Sequence, residues 1–419
     1  MFELKDEEAQ RPHELASLLR KLVDSPLSAA EVQVARPLLD AVAAEHVAMA
    51  VDLLIGEGVS LPSLEPAVSK LVNLLGSTLT KRAFVPDDPF FESLVAENAK
   101  IRAALDALRP ALKAMNGSDG GAARAAILDA MADGVARLAA VGIHYEKKEN
   151  VLFPVFEKKY PHWRCVTLMW SLHDTVRRER ATIEAMVRGP VVPDLRALNA
   201  AVGRLFFAAF AVIFREERIL FPLVASLLTK EERFELYRES KGPGFAYLDD
   251  RLVAVYDAEA ASESFVHALP RMTVGAPEPD REDATLLSLD AGALPLGALD
   301  ALLKALPVDL TFVDADDKVA WFSNGPERIF PRSPSVIGRD VRNCHPRASL
   351  DRVMGIIGAF RSGSRDSEQF WIEHRGRFVH IRYVAVRDRA GNYLGTLESS
   401  QDITELRALE GEKRLAAQE

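Results

Sequence analysis

The chain has 419 residues, of which 48% are hydrophobic and 27% charged, a composition typical of folded protein and unlike that of disordered chains; at this length two or three separate cores are expected. A net charge of −9 supplies no overall basic field, which argues against nucleic acid or an anionic membrane as partner. Two cysteines, Cys165 and Cys344, are too few for a disulfide framework and suit a reducing compartment.

The first residues, MFELKDEEAQRPHE, are acidic and lack the apolar centre of a signal peptide. The longest apolar stretch, Leu205 to Phe214, has about half the length a bilayer-spanning helix requires, so the expectation is a cytoplasmic chain with no membrane span. From Glu14 to about Thr80, apolar residues recur at spacings of three and four, punctuated by Pro26, Gly56, Gly58 and Pro62. This reads as a small helical domain of unknown function over residues 1–85. Within it, His46 and Glu45 read as helix surface or a packing pair.

Residues 86–240 contain four long helical segments, with turns at Asn116 to Gly121 and Gly189 to Pro193. Short connections between long amphipathic helices favour an up-down bundle. The second and fourth segments share a pattern, KKENVLFPVF at 147–156 and REERILFPLV at 215–224, which suggests a pseudo-twofold arrangement with helices ending at the two Phe-Pro pairs. Residues 241–295 lose periodicity and contain VGAPEPDREDA, the composition of a partly structured linker.

After the short helix PLGALDALLKAL the period changes to two. LTFVDADDKVAWFSNG is strand, turn, strand; SLDRVMGIIGAFRSG is helical; EQFWIEHRG, RFVHIRYVAVRD and YLGTLESSQDI are three further strands. That order predicts an α+β domain over 296–406 with a five-stranded antiparallel sheet. ITELRALEGEKRLAAQ predicts a charged helix over 407–419, with Ile403, Leu406, Leu409 and Leu415 suited to a helix–helix contact.

The segments HYEKKENVLFPVF, WSLHDTVR and FREERILFPL resemble the hemerythrin-like, cation-binding helical bundles, over roughly residues 88–235. The resemblance implies a core holding non-haem iron, usually a pair, through His and carboxylate side chains. It points to His144, His173, Glu97 and Glu216, with Glu149 or Glu217 as further ligands. Spacing qualifies this. Residues four apart lie about 40° from each other around a helix, and residues five apart about 140°. Lys148 stands four beyond His144, Arg177 four beyond His173, and Val212 four before Glu216, where the family often has His. Glu149 falls on another face unless the helix is locally wound. Two readings follow: one iron or a reduced diiron site answering to oxygen, nitric oxide, redox state or iron supply; or a buried ion-pair network in which Lys148 and Arg177 replace lost metals, since buried carboxylates need a cation.

The leading domain resembles an uncharacterised helical domain that precedes such bundles in some sensor-like proteins, although KLVNLLGSTL carries neither the Cys nor the His of that pattern. LPVDLTFVDADDKVAWFSNG, IGRDVRNCHP, WIEHRGRFVHIRYVAVRD and SSQDITE resemble PAS domains. That resemblance implies a pocket for haem, flavin, a metabolite or nothing. For haem, Cys344 and His345 are the candidate axial ligands; the alternative is a small core cysteine and a His-Pro helix start. His380 is open to the same two readings. No phosphate-binding glycine loop, nucleophile elbow or kinase block follows. The expectation is therefore a non-enzymatic sensor of a small gaseous or redox ligand, signalling to a protein partner or a dimer mate through the PAS domain and its following helix. The competing expectation is a metal-free scaffold with ligand sensing only in the PAS domain. Oxidative chemistry at diiron is disfavoured by the missing histidine.

Overall fold

The computed structural model describes residues 6–76, 84–117, 122–159, 164–191, 193–268, 286–289, 291–325, 328–345 and 347–411. The chain divides into two units, Met1–His267 and Ala268–Glu419.

The first unit opens with α1 (Asp6–Asp24), α2 (Ala29–Ala41), α3 (Ala44–Gly56) and α4 (Leu61–Leu74). Ser28 and Glu31 form a reciprocal capping box that starts α2. His46 is buried, and its Nδ1 accepts the Ala43 N–H at 3.1 Å at the start of α3, so it packs and caps and does not lie on the surface. These helices share their core with the bundle: Leu15, Leu19, Val51 and Leu71 lie in one cluster with Leu168 and Ile219.

The bundle helices are α5 (Pro89–Asp106), α6 (Arg109–Asn116), α7 (Ala122–Arg137), α8 (Val141–Lys147), α9 (Phe153–Lys159), α10 (Val166–Arg188), α11 (Leu195–Arg215) and α12 (Phe221–Leu227). Two of the junctions are π turns, Lys148–Leu152 between α8 and α9 and Glu216–Leu220 between α11 and α12. The Phe-Pro pairs therefore do not end helices. A proline ring clashes with the carbonyl four residues back. For Pro154 and Pro222 that carbonyl belongs to Asn150 and Arg218, each inside a π turn. Widening the turn by one residue lets the helix continue past the ring.

By length and composition, the run Leu195–Leu227 is long and apolar enough to cross a membrane. It is also a core element of the bundle, burying Leu198, Val202, Leu205, Val212 and the charged Glu216.

The expected linker begins inside this unit. After α13 (Lys230–Glu239), α14 (Asp250–Ala268) follows, and Tyr237, Tyr256 and Ala260 join the bundle core. The Tyr237 hydroxyl donates to Asp257 Oδ1 at 2.8 Å. Apolar residues stand on every face of α14, Val255 exposed while Leu252, Tyr256 and Ala260 pack on the bundle, so no helical periodicity registers. VGAPEPDREDA lies outside the described residues.

In the second unit, the hairpin β1 (Leu286–Ser288) and β2 (Ala293–Pro295) leads into α15 (Leu296–Ala305). The strands β3 (Asp309–Asp314), β4 (Val319–Phe322), β5 (Ser367–His374), β6 (Arg377–Arg387) and β7 (Tyr393–Asp402) form an antiparallel sheet in the order β4-β3-β7-β6-β5. The turn residues have the backbone this topology needs, with Arg375 and Gly376 at φ 51° and 77° between β5 and β6. Helix α16 (Arg347–Ser362) lays Ile356 and Phe360 against Val379, Ile381 and Tyr383.

Asp402-Ile403-Thr404 ends β7. Thr404 Oγ1 accepts the Phe378 N–H at 2.8 Å, and Asp402 Oδ1 accepts the Thr404 N–H at 2.9 Å. The expected C-terminal helix is not continuous from there: Leu406–Ala408 is a single 3-10 turn and Leu409 is extended. Residues 412–419 lie outside the described residues.

Candidate functional site in the bundle core

Glu149, five residues beyond His144, reaches the core at the start of the π turn 148–152, and Lys147 and Lys148 are buried beside it, so this helix presents a broad face to the core and not a single stripe. Glu216, at the start of the second π turn, carries a buried carboxylate from the end of α11. Glu97 on α5 and His173 on α10 complete the group, both fully buried.

Five of the six expected residues converge. His144 Nδ1–H donates to Glu97 Oε2 at 2.7 Å, and His173 Nδ1–H donates to Glu149 Oε1 at 2.8 Å. With their Nδ1 atoms so engaged, the imidazoles turn Nε2 toward Glu216, at 3.5 Å from His144 and 3.7 Å from His173. Neither Nε2 has a hydrogen-bond partner. Glu217 does not belong to the group. One position round the helix, it pairs with Arg102 at 3.0 Å in a part-exposed ion pair.

Each core carboxylate also meets a cationic side chain. Lys147 Nζ donates to Glu97 Oε1 at 2.8 Å, where the Ala246 N–H also donates, at 2.5 Å. Lys148 Nζ donates to Glu216 Oε1, and Asn98 Nδ2 donates to Glu216 Oε2 at 3.0 Å. Arg177 donates to Glu149 Oε2 at 2.6 Å. Glu97, Glu149 and Glu216 thus face Lys147, Lys148 and Arg177, three carboxylates against three cations. Aromatic faces add to the cation binding. Lys147 lies 4.1 Å from the Phe245 ring centroid, and Lys148 4.5 Å from that of Tyr145, which stacks on His173 at 3.9 Å. Lys148 and Arg177 are legible as cations four beyond each histidine. Lys147 is the residue that spacing could have exposed, three beyond His144 and on the same face.

Burial alone would raise the three carboxylates, but their partners outweigh it. Lys148 and the two imidazoles hold Glu216 well below the usual range, His144 and Lys147 hold Glu97 down, and Arg177 and His173 hold Glu149 down. Burial, with the neighbouring Lys148 charge, lowers His173 and keeps it neutral. The sign for stability follows. His173, depressed in the fold, contributes fully above its unfolded value of about 6.5, and that contribution fades as pH falls below it. The carboxylates contribute fully above about pH 4.3 and are lost below. The unfolding free energy of the helical unit should therefore fall as pH drops below about 6.5, with a slope of at most about 1.4 kcal/mol per pH unit. His173→Gln should remove that limb; an identical slope in this variant would contradict the assignment.

Whether these residues suit an iron pair can be judged from the same geometry. Val212 and Ala211 occupy the positions four and five before Glu216, so the fourth helix supplies no imidazole. Among the described residues, no group of three or more His, Cys, Asp or Glu is arranged to hold a metal ion. A dication sharing Glu216 with the Lys148 ammonium, ~4 Å away, would be repelled by about 8 kcal/mol at an effective dielectric of about 20. The residues as placed do not fit a pair, and a single ion would require Lys148 to move.

In the second unit, Cys344 packs against the core around Val313, Val341 and Ile357, and its thiol donates to the Asp340 carbonyl at 3.6 Å. His345 lines a cavity of about 20 Å³ with Tyr383, Thr396 and Glu398. That volume is of the order a single water needs and is far below that of a macrocycle, so the arrangement does not provide a haem pocket. His380 is half-buried on β6, with Nε2 at 3.0 Å from Gln369 Oε1 on β5, a cross-strand surface pair.

Comparison with known proteins agrees with this layout. The family described as the hemerythrin HHE cation binding domain matches residues 90–224, and a PAS domain family matches residues 299–404. Among solved structures, a C-terminal domain from Streptococcus mutans is 34% identical, covering 30% of this chain and 99% of its own, with a TM-score of 0.30. The PAS domain of a protein from Colwellia psychrerythraea is 14% identical, covering 26% of this chain and 98% of its own, with a TM-score of 0.22. A sensory box sensor histidine kinase from Vibrio cholerae is 16% identical, covering 26% and 90%, with a TM-score of 0.21. No curated protein matches the chain. The chain thus carries a hemerythrin HHE cation binding domain over residues 90–224 and a PAS domain over residues 299–404.

Proposed function

We propose that the chain is a cytoplasmic sensor or signalling protein in which the hemerythrin-type bundle is held closed by its own lysines and arginine in place of resident iron, and in which the PAS domain conveys the signal to a protein partner. The observation that carries this reading is the one-to-one matching of Glu97, Glu149 and Glu216 with Lys147, Arg177 and Lys148 in the bundle core. HHE and PAS are binding and sensory families, which supports signalling over catalysis. Trp371, Ile372 and Leu394 are exposed on the PAS sheet, and Leu406 and Leu409 just beyond it; such apolar surface supports contact with another chain or a second copy.

Protein purified without a tag, loaded anaerobically with ferrous iron and desalted should retain well under one iron per chain. Stoichiometric iron that is lost on changing His144 and His173 to Ala would overturn the reading. It would favour a second one, in which a single cation displaces Lys148 and is held by Glu216 and the two unpartnered Nε2 atoms.

A further inference from the structure

A cleft of about 380 Å³ lies between α4 and α11, outside the charged core. Its volume falls within the roughly 300–1,000 Å³ of small-molecule sites. Phe206, Phe207, Phe210 and Phe214 form one wall, Ser69 and Val72 line the other side, and Arg109 and Arg215 supply its charge. The Arg109 guanidinium lies 5.1 Å from the Phe206 ring centroid and 5.9 Å from that of Phe210, while Phe207 is 56% exposed at the mouth.

Arg215 is the anomaly. It is only 4% exposed, yet among the described residues no carboxylate forms an ion pair with it. Its Nη2 donates to Ser69 Oγ at 2.7 Å and to the Glu65 carbonyl at 3.3 Å, while Nε and Nη1 have no partner. The Glu65 carboxylate is engaged elsewhere, accepting from Ser171 Oγ at 3.0 Å. A buried guanidinium without a counter-ion is costly, because desolvation is not offset by pairing. The same Arg215 also borders a second, apolar cavity of about 50 Å³ lined by Cys165 and Met169.

We propose that this cleft binds an amphipathic monocarboxylate, with the carboxylate paired to the Arg215 guanidinium that lines it and the apolar body lying along the phenylalanine wall. Charge complementarity selects the head group: Arg215 and Arg109 are both positive, and of the two only Arg109 has an acidic partner, Asp106 at 2.7 Å. The four phenylalanines select the apolar body. A neutral ligand would leave Arg215 as it is, and a small inorganic anion would leave the aromatic wall uncovered.

The test uses the full-length chain with decanoate as probe and decanol as the neutral control, by calorimetric titration. Decanoate should bind about ten-fold tighter than decanol. Arg215→Gln should abolish that preference, and Phe207→Glu, which places a like charge at the exposed mouth, should weaken decanoate by about ten-fold without changing the helical content. Equal binding of decanoate and decanol overturns the proposal, as does undiminished decanoate affinity in Phe207→Glu. The mouth variant decides the matter even where Arg215→Gln does not fold.

Discussion

Lys148→Met should destabilise the helical unit by about 3–5 kcal/mol, the range for removing one partner of a buried ion pair. Methionine keeps the length and apolar body of the lysine stem, so packing against Tyr145 persists and the loss is electrostatic. What remains is Glu216, fully buried, with one neutral hydrogen bond from Asn98 and two imidazole Nε2 atoms turned toward it. Without the ammonium, desolvation dominates and the Glu216 carboxyl is raised above its unfolded value. A raised carboxyl contributes stability below that value and loses it as pH rises, so the deficit relative to wild type should be greater near pH 8 than near pH 5. Adding Glu216→Gln to Lys148→Met removes both charges and should recover much of the loss. Denaturant unfolding followed at Trp170, which packs on the edge of this core, reports the result. A cost below about 1 kcal/mol would place Lys148 among ordinary surface pairs and remove the basis for a lysine-neutralised core.

In the PAS domain the largest effect is expected at Gly395, where alanine should cost about 3 kcal/mol or more. Gly395 sits in β7 opposite Asp314 of β3 with φ +153°. A Cβ built there collides with the Val313 carbonyl oxygen and falls 2.8 Å from the Phe312 ring. The carbonyl belongs to a strand held in register on both sides, by β4 and β7, so it cannot yield without breaking the sheet. Gly391, in the turn before β7, has φ +86° and open space around it; alanine there should cost only the backbone term of about 1–2 kcal/mol. Unfolding followed at Trp321 and Trp371, on β4 and β5, compares the two variants. Equal costs would mean that close packing of β7 on β3 is not what requires glycine at 395.

The architecture was largely legible in the residue pattern. The switch from a three-and-four period to a period of two near Leu310 separates the bundle from the sheet, and strand, helix and strand order places all five strands of the PAS domain. Boundaries were less so. Residues 241–268 read as linker because the apolar residues of α14 stand on every face and show no period, yet Tyr256 and Ala260 pack into the bundle core. The tail read as a helix because its apolar residues are suitably spaced, while the hydrogen bonds of Asp402 and Thr404 close the end of β7 and leave a single turn after it.

The candidate site divides along the same line. Sequence alone determined which groups are available: two histidines, the acids at 97, 149 and 216, no imidazole before Glu216, and cations four beyond each histidine. Tertiary structure decided what they do, because burial and partnering are properties of the assembled bundle. Glu149 and Glu216, at the starts of the two π turns, reach the core, while Glu217 pairs with Arg102 outside it. The approach of four helices seats Lys147 on the carboxylate from α5 and Lys148 on that of the π turn after α11.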